Sequence, residues 1–238
     1  MKKIIVFILA LLLFSCQQKE KTPLDKYAFA VGTLGDYMGR EKHETEKDLV
    51  EKYHPSEKKL YTKMDAMFQN LYTDLKLTIF ENNKTDYIRY ELRSKKLKDT
   101  LDAYYTYKYS GRGTAKKYID FDAVNIDSLI KSKNFIQENY DSIFVGSLKS
   151  NVFKTNKQKL SFITGAYVRY GSQLDSLHQI SVANSTSKVK TLEILLNDIG
   201  CTNVVYEVRP AIPYGHKVLF KPTLKLTSYF EKYDFLKK

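Results

Sequence analysis

Residues 179–221 decide the predicted fold, and they read QISVANSTSKVKTLEILLNDIGCTNVVYEVRPAIPYGHKVLFK. Three short β-prone runs, at 179–183, 203–208 and 217–221, flank a segment whose apolar residues recur at helical spacing. That segment stops at Gly200, and Pro222-Thr223 opens a closing helix. The stretch therefore predicts a small C-terminal β-α-β-β-α unit.

Most of the chain before this unit favours helices. Apolar residues recur at steps of three and four through 60–79, and similar patterns predict helices over 86–107 and 156–177. Residues 114–150 are less regular, and we find no long internal repeat. We therefore predict an α+β fold with a mostly helical N-terminal part and the small C-terminal β-α-β-β-α unit.

The N-terminus has the organisation of an export signal. Two lysines precede an apolar run over 4–13, which is too short to span a membrane, and Leu13-Phe14-Ser15-Cys16 follows. This stretch resembles a bacterial lipoprotein signal. The resemblance implies cleavage before Cys16, acylation of that residue, and a location in the cell envelope, anchored to a membrane by lipid. An ordinary secretory signal with a chance cysteine is the alternative.

These features predict four segments along the chain. Residues 1–15 form the lipoprotein signal peptide and 16–23 a short lipidated tether. Residues 24–150 form the helical region, and 151–238 a helix followed by the β-α-β-β-α unit. The last two are expected to pack as one body, since the 223 residues left when 15 are removed from 238 suffice for one large domain.

The chain is basic, with a net charge of +12. Such a surface favours anionic partners, among them phosphorylated glycans, lipid headgroups and nucleic acid. The positive residues are mostly lysines, however, and a bias in coding composition explains that enrichment more simply. Once Cys16 is acylated, Cys201 is the remaining thiol, so an intrachain disulfide is excluded.

No motif in the sequence points to a metal or cofactor. The histidines His43, His54, His178 and His216 have no ligand partner three or four residues away, and there is no HExxH or paired-cysteine pattern. GxSxG, Walker and GxGxxG patterns are absent as well. We expect no metal and no cofactor, and we predict no catalytic residue.

The best candidate binding site follows from the C-terminal topology. If the strands ending at Ala183 and Val208 are parallel, the loops after them leave from one edge of the sheet, where ligands commonly bind, and a helix N-terminus there attracts anions. The alternative is that these loops hold only helix caps and connectors. The candidate ligand-binding residues are Asn184, Ser185, Thr186, Ser187, Arg209, Tyr214 and His216.

Four triplets of Asp, then Ser or Thr, then an aliphatic residue resemble the acceptor motif of bacterial O-glycosylation. Helix capping by Asp-Ser pairs is the alternative. The possible acceptor hydroxyls are those of Thr100, Ser128, Ser142 and Ser176.

These observations lead to two functional hypotheses. The first is a membrane-anchored cell-envelope lipoprotein that acts as a non-catalytic binding or structural module. The second is an envelope hydrolase or transferase acting on glycan or peptide near His216. The expected partners are the membrane, through the N-terminal lipid, and an anionic envelope glycan or another envelope protein, with no nucleic acid.

Overall fold

The computed structural model describes residues 23–35, 39–43, 46–82, 87–114, 140–210 and 214–237. The six α-helices of this part are α1 (Lys26–Thr33), α2 (Lys58–Phe68), α3 (Lys95–Asp102), α4 (Asn156–Tyr170), α5 (Thr186–Asp198) and α6 (Leu224–Tyr233). The ten strands are β1 (Arg40–His43), β2 (Leu49–Tyr53), β3 (Lys76–Asn82), β4 (Tyr87–Arg93), β5 (Tyr105–Thr114), β6 (Tyr140–Leu148), β7 (Gly171–Leu174), β8 (Leu177–Ala183), β9 (Thr202–Arg209) and β10 (Gly215–Lys221).

The chain is built from a structural repeat. Residues 26–102 and 156–233 each run helix, two strands, helix, two strands, helix. The sheet of the first repeat has the order β2-β4-β3, and β8-β10-β9 is the matching order in the second. All of these pairs are antiparallel. The sequence shows no long internal repeat, although the two halves share this order of elements.

The two repeats differ at their first strand. In the second repeat, β7 pairs with β8 and extends that sheet to four strands. In the first repeat, β1 pairs with β6, so that β1-β6-β5 forms a separate sheet. The long β5–β6 pair thus joins the two repeats and completes the first one.

The centre of the molecule is the contact between α1 and α4, the first helix of each repeat. A Cβ on Gly32 would lie 2.2 Å from the carbonyl oxygen of Phe162, and a Cβ on Gly165 would lie 2.1 Å from that of Phe29. Real Cβ atoms do not approach oxygen so closely, so only glycine permits this separation of the two backbones. The core around the pair is apolar and fully buried at Phe29 and Phe162.

The prediction of a mostly helical N-terminal part with one small β unit is wrong, because strands occur in both halves and form three sheets. The predicted helix over 60–79 ends at Phe68, and 76–79 belong to β3. The predicted helix over 86–107 is β4, α3 and the start of β5. In each case short apolar runs fit both periods, and pairing with distant strands decided the outcome.

The C-terminal unit has the predicted order of elements but a different strand arrangement. We expected 179–183 and 203–208 to be neighbours, but β10 lies between β8 and β9 and pairs with both. Because both pairs are antiparallel, β8 and β9 still run in the same direction. The predicted helix over 156–177 ends at Tyr170, where Gly171 starts β7.

Within the described ranges, no helix has the length and apolar character needed to cross a membrane. Residues 1–22, which include Cys16 and the predicted signal, lie outside those ranges.

Candidate nucleic-acid interface

Two cationic side chains bind the carbonyl groups at the C-terminal end of α1, beside the central helix pair. Arg169, in the last turn of α4, donates from Nη1 to the carbonyl oxygen of Thr33 at the end of α1, at 2.6 Å. The buried Lys188 ammonium of α5 donates to the carbonyl oxygens of Gly32 and Leu34. The last carbonyls of α1 have no partner within the helix, so these cations satisfy them and interact favourably with the negative helix end.

Carboxylates on the first repeat balance the charge of Arg169. Its Nε donates to Glu57 Oε1 at 2.9 Å, and its Nη1 lies 3.4 Å from Glu51 Oε1. Burial alone would lower the pKa of Arg169, but the surrounding groups, Glu51 and Glu57 among them, raise it well above the ordinary value. The guanidinium therefore stays charged and joins the two repeats.

A second buried ion cluster extends from Glu51. Arg40 contacts Glu51 Oε2 at 3.4 Å and Asp102 Oδ1 at 3.7 Å, and Lys98 donates to Asp102 at 2.7 Å. Burial lowers the pKa of Lys98, and Asp102 opposes that shift. These groups border a cleft of about 210 Å³ beside β1 and β2. These charges pair with one another, so the cluster connects β1, β2 and α3.

This arrangement does not suit a divalent metal ion. Within the described ranges, no group of three His, Cys, Asp or Glu side chains could hold one. At the described end of α1 lie instead Arg169, from the last turn of α4, and Lys188 of α5, whose charges would repel a metal cation.

The structure brings part of the predicted C-terminal site together. The backbone N–H of Asn184 donates to the carbonyl oxygen of Tyr214 at 2.7 Å, so the loops after β8 and β9 meet. Thr186 Oγ1 lies 3.5 Å from His216 Nε2, and the hydroxyl of Tyr206 lies 2.6 Å from His216 Nδ1.

The two serines of the predicted site lie at the start of α5. Ser185 precedes the helix but makes no side-chain cap, and its buried hydroxyl has no hydrogen-bond partner among the residues that the structure describes. Ser187 follows in the first turn of that helix. The helix cap that the alternative interpretation expects at Ser185 is therefore not formed, and the role of these residues in holding an anion stays a prediction.

Arg209 does not join this cluster. It pairs with Gly215 across the β9–β10 ladder, whereas His216 pairs with Val208, so Arg209 and His216 point to opposite faces of the sheet. His216 faces α5, and Arg209 lies on the outer face. The sheet therefore separates the predicted arginine from the predicted helix N-terminus, and Tyr214 is exposed at the loop.

The possible glycosylation sites are placed differently from one another. Ser176 is exposed in the tight turn between β7 and β8. Thr100 donates to the carbonyl oxygen of Lys96 and accepts from the hydroxyl of Tyr72 inside a helix. Ser142 lies in β6, and Ser128 lies outside the described residues. Their use as acceptors stays a prediction.

The outer face of the second sheet is cationic. Arg209, Lys217 and Lys221 occupy outward positions of β9 and β10, and Glu207 is the acidic side chain of that pair of strands. Lys217 contacts Glu207 at 2.8 Å. Among the described residues, Arg209 and Lys221 have no ion-pair partner. Two positive charges thus remain uncompensated on this face.

The outer face of the first sheet carries an ordered row of charges. Glu91 on β4 binds Arg89 at 2.6 Å and Arg93 at 2.7 Å. The guanidinium of Arg89 also lies 4.0 Å from the centre of the Phe80 ring on β3. Lys76, at the start of β3, is exposed. The outer face of the first sheet therefore presents two arginines that are paired with Glu91, together with the ring of Phe80.

Both hairpins extend beyond the core. In the β3–β4 ribbon, Ile79 is 58% exposed and Ile88 is 42% exposed although both face the core side of the sheet. In the β9–β10 ribbon, Val208 is 48% exposed on the corresponding side. These exposed apolar side chains make the two ribbons the candidate interaction surface.

Sequence reasoning missed this surface, although a signal was present. In 87–93 the residues Tyr87, Arg89, Glu91 and Arg93 alternate with Ile88, Tyr90 and Leu92, which is the period of a strand. The triad Asn82-Asn83-Lys84 just before it is typical of a turn.

Three comparisons relate the chain to known proteins. No family model matches it, and no curated protein does. Among solved structures, a mesophilic variant of the homing endonuclease I-DmoI has a TM-score of 0.47 at 12% identity, over 87% of this chain and 95% of the other. I-DmoI with DNA and Ca gives 0.45 at 12% over 84% and 83%, and a variant of I-DmoI with its target DNA and Mn gives 0.46 at 12% over 87% and 92%.

These neighbours correct three sequence-based predictions. All three are structures of a homing endonuclease, and two of them are complexes with DNA. The predicted functions, a non-catalytic binding or structural module of the envelope and an envelope hydrolase or transferase near His216, are therefore not retained, and neither is the prediction of no nucleic-acid partner. The predicted signal at residues 1–16 is not tested by these neighbours. At this identity and TM-score the likeness assigns no activity to this chain, so any function must be argued from the chain's own surfaces.

Proposed function

We propose that this protein binds double-stranded DNA through the β3–β4 and β9–β10 ribbons, one from each structural repeat. The observation that carries the proposal is the outer face of these ribbons. Each presents cations on adjacent antiparallel strands, and each ribbon extends beyond the core with apolar side chains exposed.

The shape of these elements suits a duplex. The major groove of B-DNA admits a two-stranded β-ribbon, and antiparallel ribbons of this kind read DNA in several protein classes. A pair of equivalent ribbons on one chain supplies two contact regions. The repeat supplies such a pair without a second subunit.

The chemistry of the two faces also suits a duplex. Arg209, Lys217 and Lys221 provide donors for phosphate oxygens, which account for most of the affinity of proteins for DNA. Arg89 is already held by Glu91 and stacked on Phe80, so little side-chain entropy remains to be lost when it binds.

The proposal concerns binding without strand cleavage. Phosphodiester hydrolysis commonly uses metal ions that stabilise the attacking and leaving oxygens. In the described part of the chain, Arg169 at the end of α4 and Lys188 on α5 contact the end of α1, and the nearby carboxylates of Glu51 and Glu57 are paired with Arg169. The proposed activity therefore needs no metal, and chelation should leave binding unchanged.

The test is fluorescence anisotropy with a labelled DNA duplex at several salt concentrations. We expect the logarithm of the binding constant to fall linearly with the logarithm of the salt concentration, since phosphate contacts release counterions. The variant Lys76→Ala/Arg209→Ala/Lys221→Ala should bind more weakly and reduce the magnitude of that slope by about 3, one for each phosphate contact removed.

A matched control removes charge without touching the ribbons. Lys190 and Lys225 are exposed on α5 and α6. The Lys190→Ala/Lys225→Ala variant should keep most of the slope of the unmodified protein. Equal losses in the two variants, or no saturable binding by the unmodified protein, would contradict the proposal.

A further inference from the structure

A second cavity lies outside both ribbons, between the β1-β6-β5 sheet, the turn before β2 and helix α3. Its volume is about 240 Å³. It is formed by β1, the turn at 46–48, the start of α3, and one ring from β6. The residues that border it are Lys42, His43, Lys47, Lys95, Asp99 and Phe144.

The charges around this cavity do not balance. Asp99 is the carboxylate among the bordering residues, and it is engaged by Lys95 at 2.6 Å. Lys42 lies 5.6 Å from the centre of the Tyr107 ring, which is an aromatic contact and not an ion pair. In the part of the chain that the structure describes, neither Lys42 nor Lys47 pairs with a carboxylate. Among the described residues that border the cavity, two ammonium groups thus have no carboxylate partner.

The charge of Lys95 is unfavourable at the start of α3, and its pair with Asp99 one turn later offsets part of that cost. Ser94 Oγ caps the helix by accepting from the N–H of Leu97, and Asp74 accepts from the N–H of Lys96. With these donors satisfied, Lys95 in the first turn adds positive charge to the positive helix end, which is unfavourable. A bound anion would relieve both that repulsion and the repulsion among the three lysines.

The remaining wall is aromatic. Phe144 on β6 borders the cavity, and its ring is held by an edge contact with Tyr109 at 5.7 Å between centres. An aromatic ring and three ammonium groups that border the same cavity suit a ligand that joins a planar ring to an anionic group. Rings pack on rings, and phosphate oxygens accept from ammonium groups.

We propose that this cavity binds a small phosphorylated molecule carrying a planar ring, of the class of a nucleoside monophosphate. The phosphate lies among Lys42, Lys47 and Lys95, and the base packs against Phe144. The site is separate from the ribbons, so it does not depend on the proposed binding of DNA.

Isothermal titration calorimetry with adenosine 5′-monophosphate, inorganic phosphate and adenosine tests this. We expect the nucleotide to bind about threefold to tenfold more tightly than phosphate, because the ring adds a packing contact. Adenosine should bind more weakly than the nucleotide. Phe144→Leu should remove most of the advantage of the nucleotide and leave the affinity for phosphate unchanged.

Charge variants complete the experiment. Lys47→Ala/Lys95→Ala should weaken nucleotide binding about tenfold or more, as expected when charged hydrogen bonds are lost. Lys190→Ala, an exposed lysine on α5, is the control and should bind as the unmodified protein does. A thermal melt confirms that each variant is folded. The absence of saturable nucleotide binding, or unchanged binding by the double lysine variant, would overturn the proposal.

Discussion

Gly32 and Gly165 determine how closely α1 and α4 approach, and therefore how the two repeats meet. Each faces a backbone carbonyl of the other helix at a distance that leaves no room for a methyl group. Arg169 and Lys188 then bind the carbonyls at the end of α1. Small residues and cations thus act together at one contact, although they are far apart in sequence.

Gly165→Ala should destabilise the protein by about 1–3 kcal/mol, because the added methyl must push the backbone of α1 away. Chemical denaturation in urea measures the change. Lys157→Ala, on the exposed start of the same helix, should remain within about 0.5 kcal/mol of the unmodified protein. Similar values for the two variants would show that the helices do not approach as closely as described.

Glu91 makes stability depend on pH. Burial alone would raise the pKa of this carboxyl, but hydrogen bonds from Arg89 and Arg93 outweigh burial and lower it below the ordinary value of 4.5. A carboxyl whose pKa is lowered on folding stabilises the folded state above its ordinary pKa, and this contribution is lost as pH falls through the folded value.

Glu91→Gln should therefore be less stable than the unmodified protein by about 1–3 kcal/mol at pH 7, since it loses two charged hydrogen bonds. The difference should shrink as urea melts are repeated at pH values below 4.5. Asp65→Asn, on α2 and not paired with an arginine of the described ranges, serves as a comparison and should remain within about 0.5 kcal/mol of the unmodified protein at pH 7. A difference for Glu91→Gln that is independent of pH would count against this role of the row of charges.

Short apolar runs in this chain fit the period of a helix as well as that of a strand, and the predicted helices that failed are of this kind. The apolar stripe over 60–79 is continuous in sequence, but its first part is buried on α2 and its last part is exposed on β3. The chain leaves the helix after Phe68 and turns before Lys76. A periodic pattern identifies an apolar face, but it does not show where the hydrogen-bond partners change from local to distant residues.

Phe68→Ala should lower the free energy of unfolding by about 3–5 kcal/mol, because this ring is fully buried. Leu71 belongs to the same apolar stripe but is 52% exposed beyond the end of the helix. Leu71→Ala should cost less than about 1 kcal/mol. Urea melts of the two variants compare them, and equal effects would place Leu71 in the core.

At the scale of the whole molecule, two helix-and-sheet repeats of the same strand order share one core. Some of the positive charge counted in the sequence lies on the outer faces of the β3–β4 and β9–β10 ribbons, one from each repeat. If residues 1–15 direct export, as their sequence indicates, the duplex that the protein meets lies outside the cytoplasm. Export can be tested independently of DNA binding.

We propose, from the resemblance of residues 1–16 to a lipoprotein signal, that the chain is cleaved before Cys16 and acylated there. Mass spectrometry of the membrane fraction should find an acylated N-terminal peptide that begins at Cys16. Cys16→Ser should release the protein from the membrane fraction. A mature chain that keeps residues 1–15, or a serine variant that stays with the membrane, would rule the proposal out.

The sequence alone determined the local features of this protein. The helix that carries Leu192 and Leu196, the turn at Gly200 and the strands around Val205 and Val218 all follow from spacing and turn chemistry within a few residues. Tertiary structure alone decided that β10 lies between β8 and β9, that α1 and α4 meet through Gly32 and Gly165, and that Arg209 and His216 lie on opposite faces. Each of these depends on hydrogen bonds or close contacts between distant residues, and no local pattern records which distant partner a segment will find.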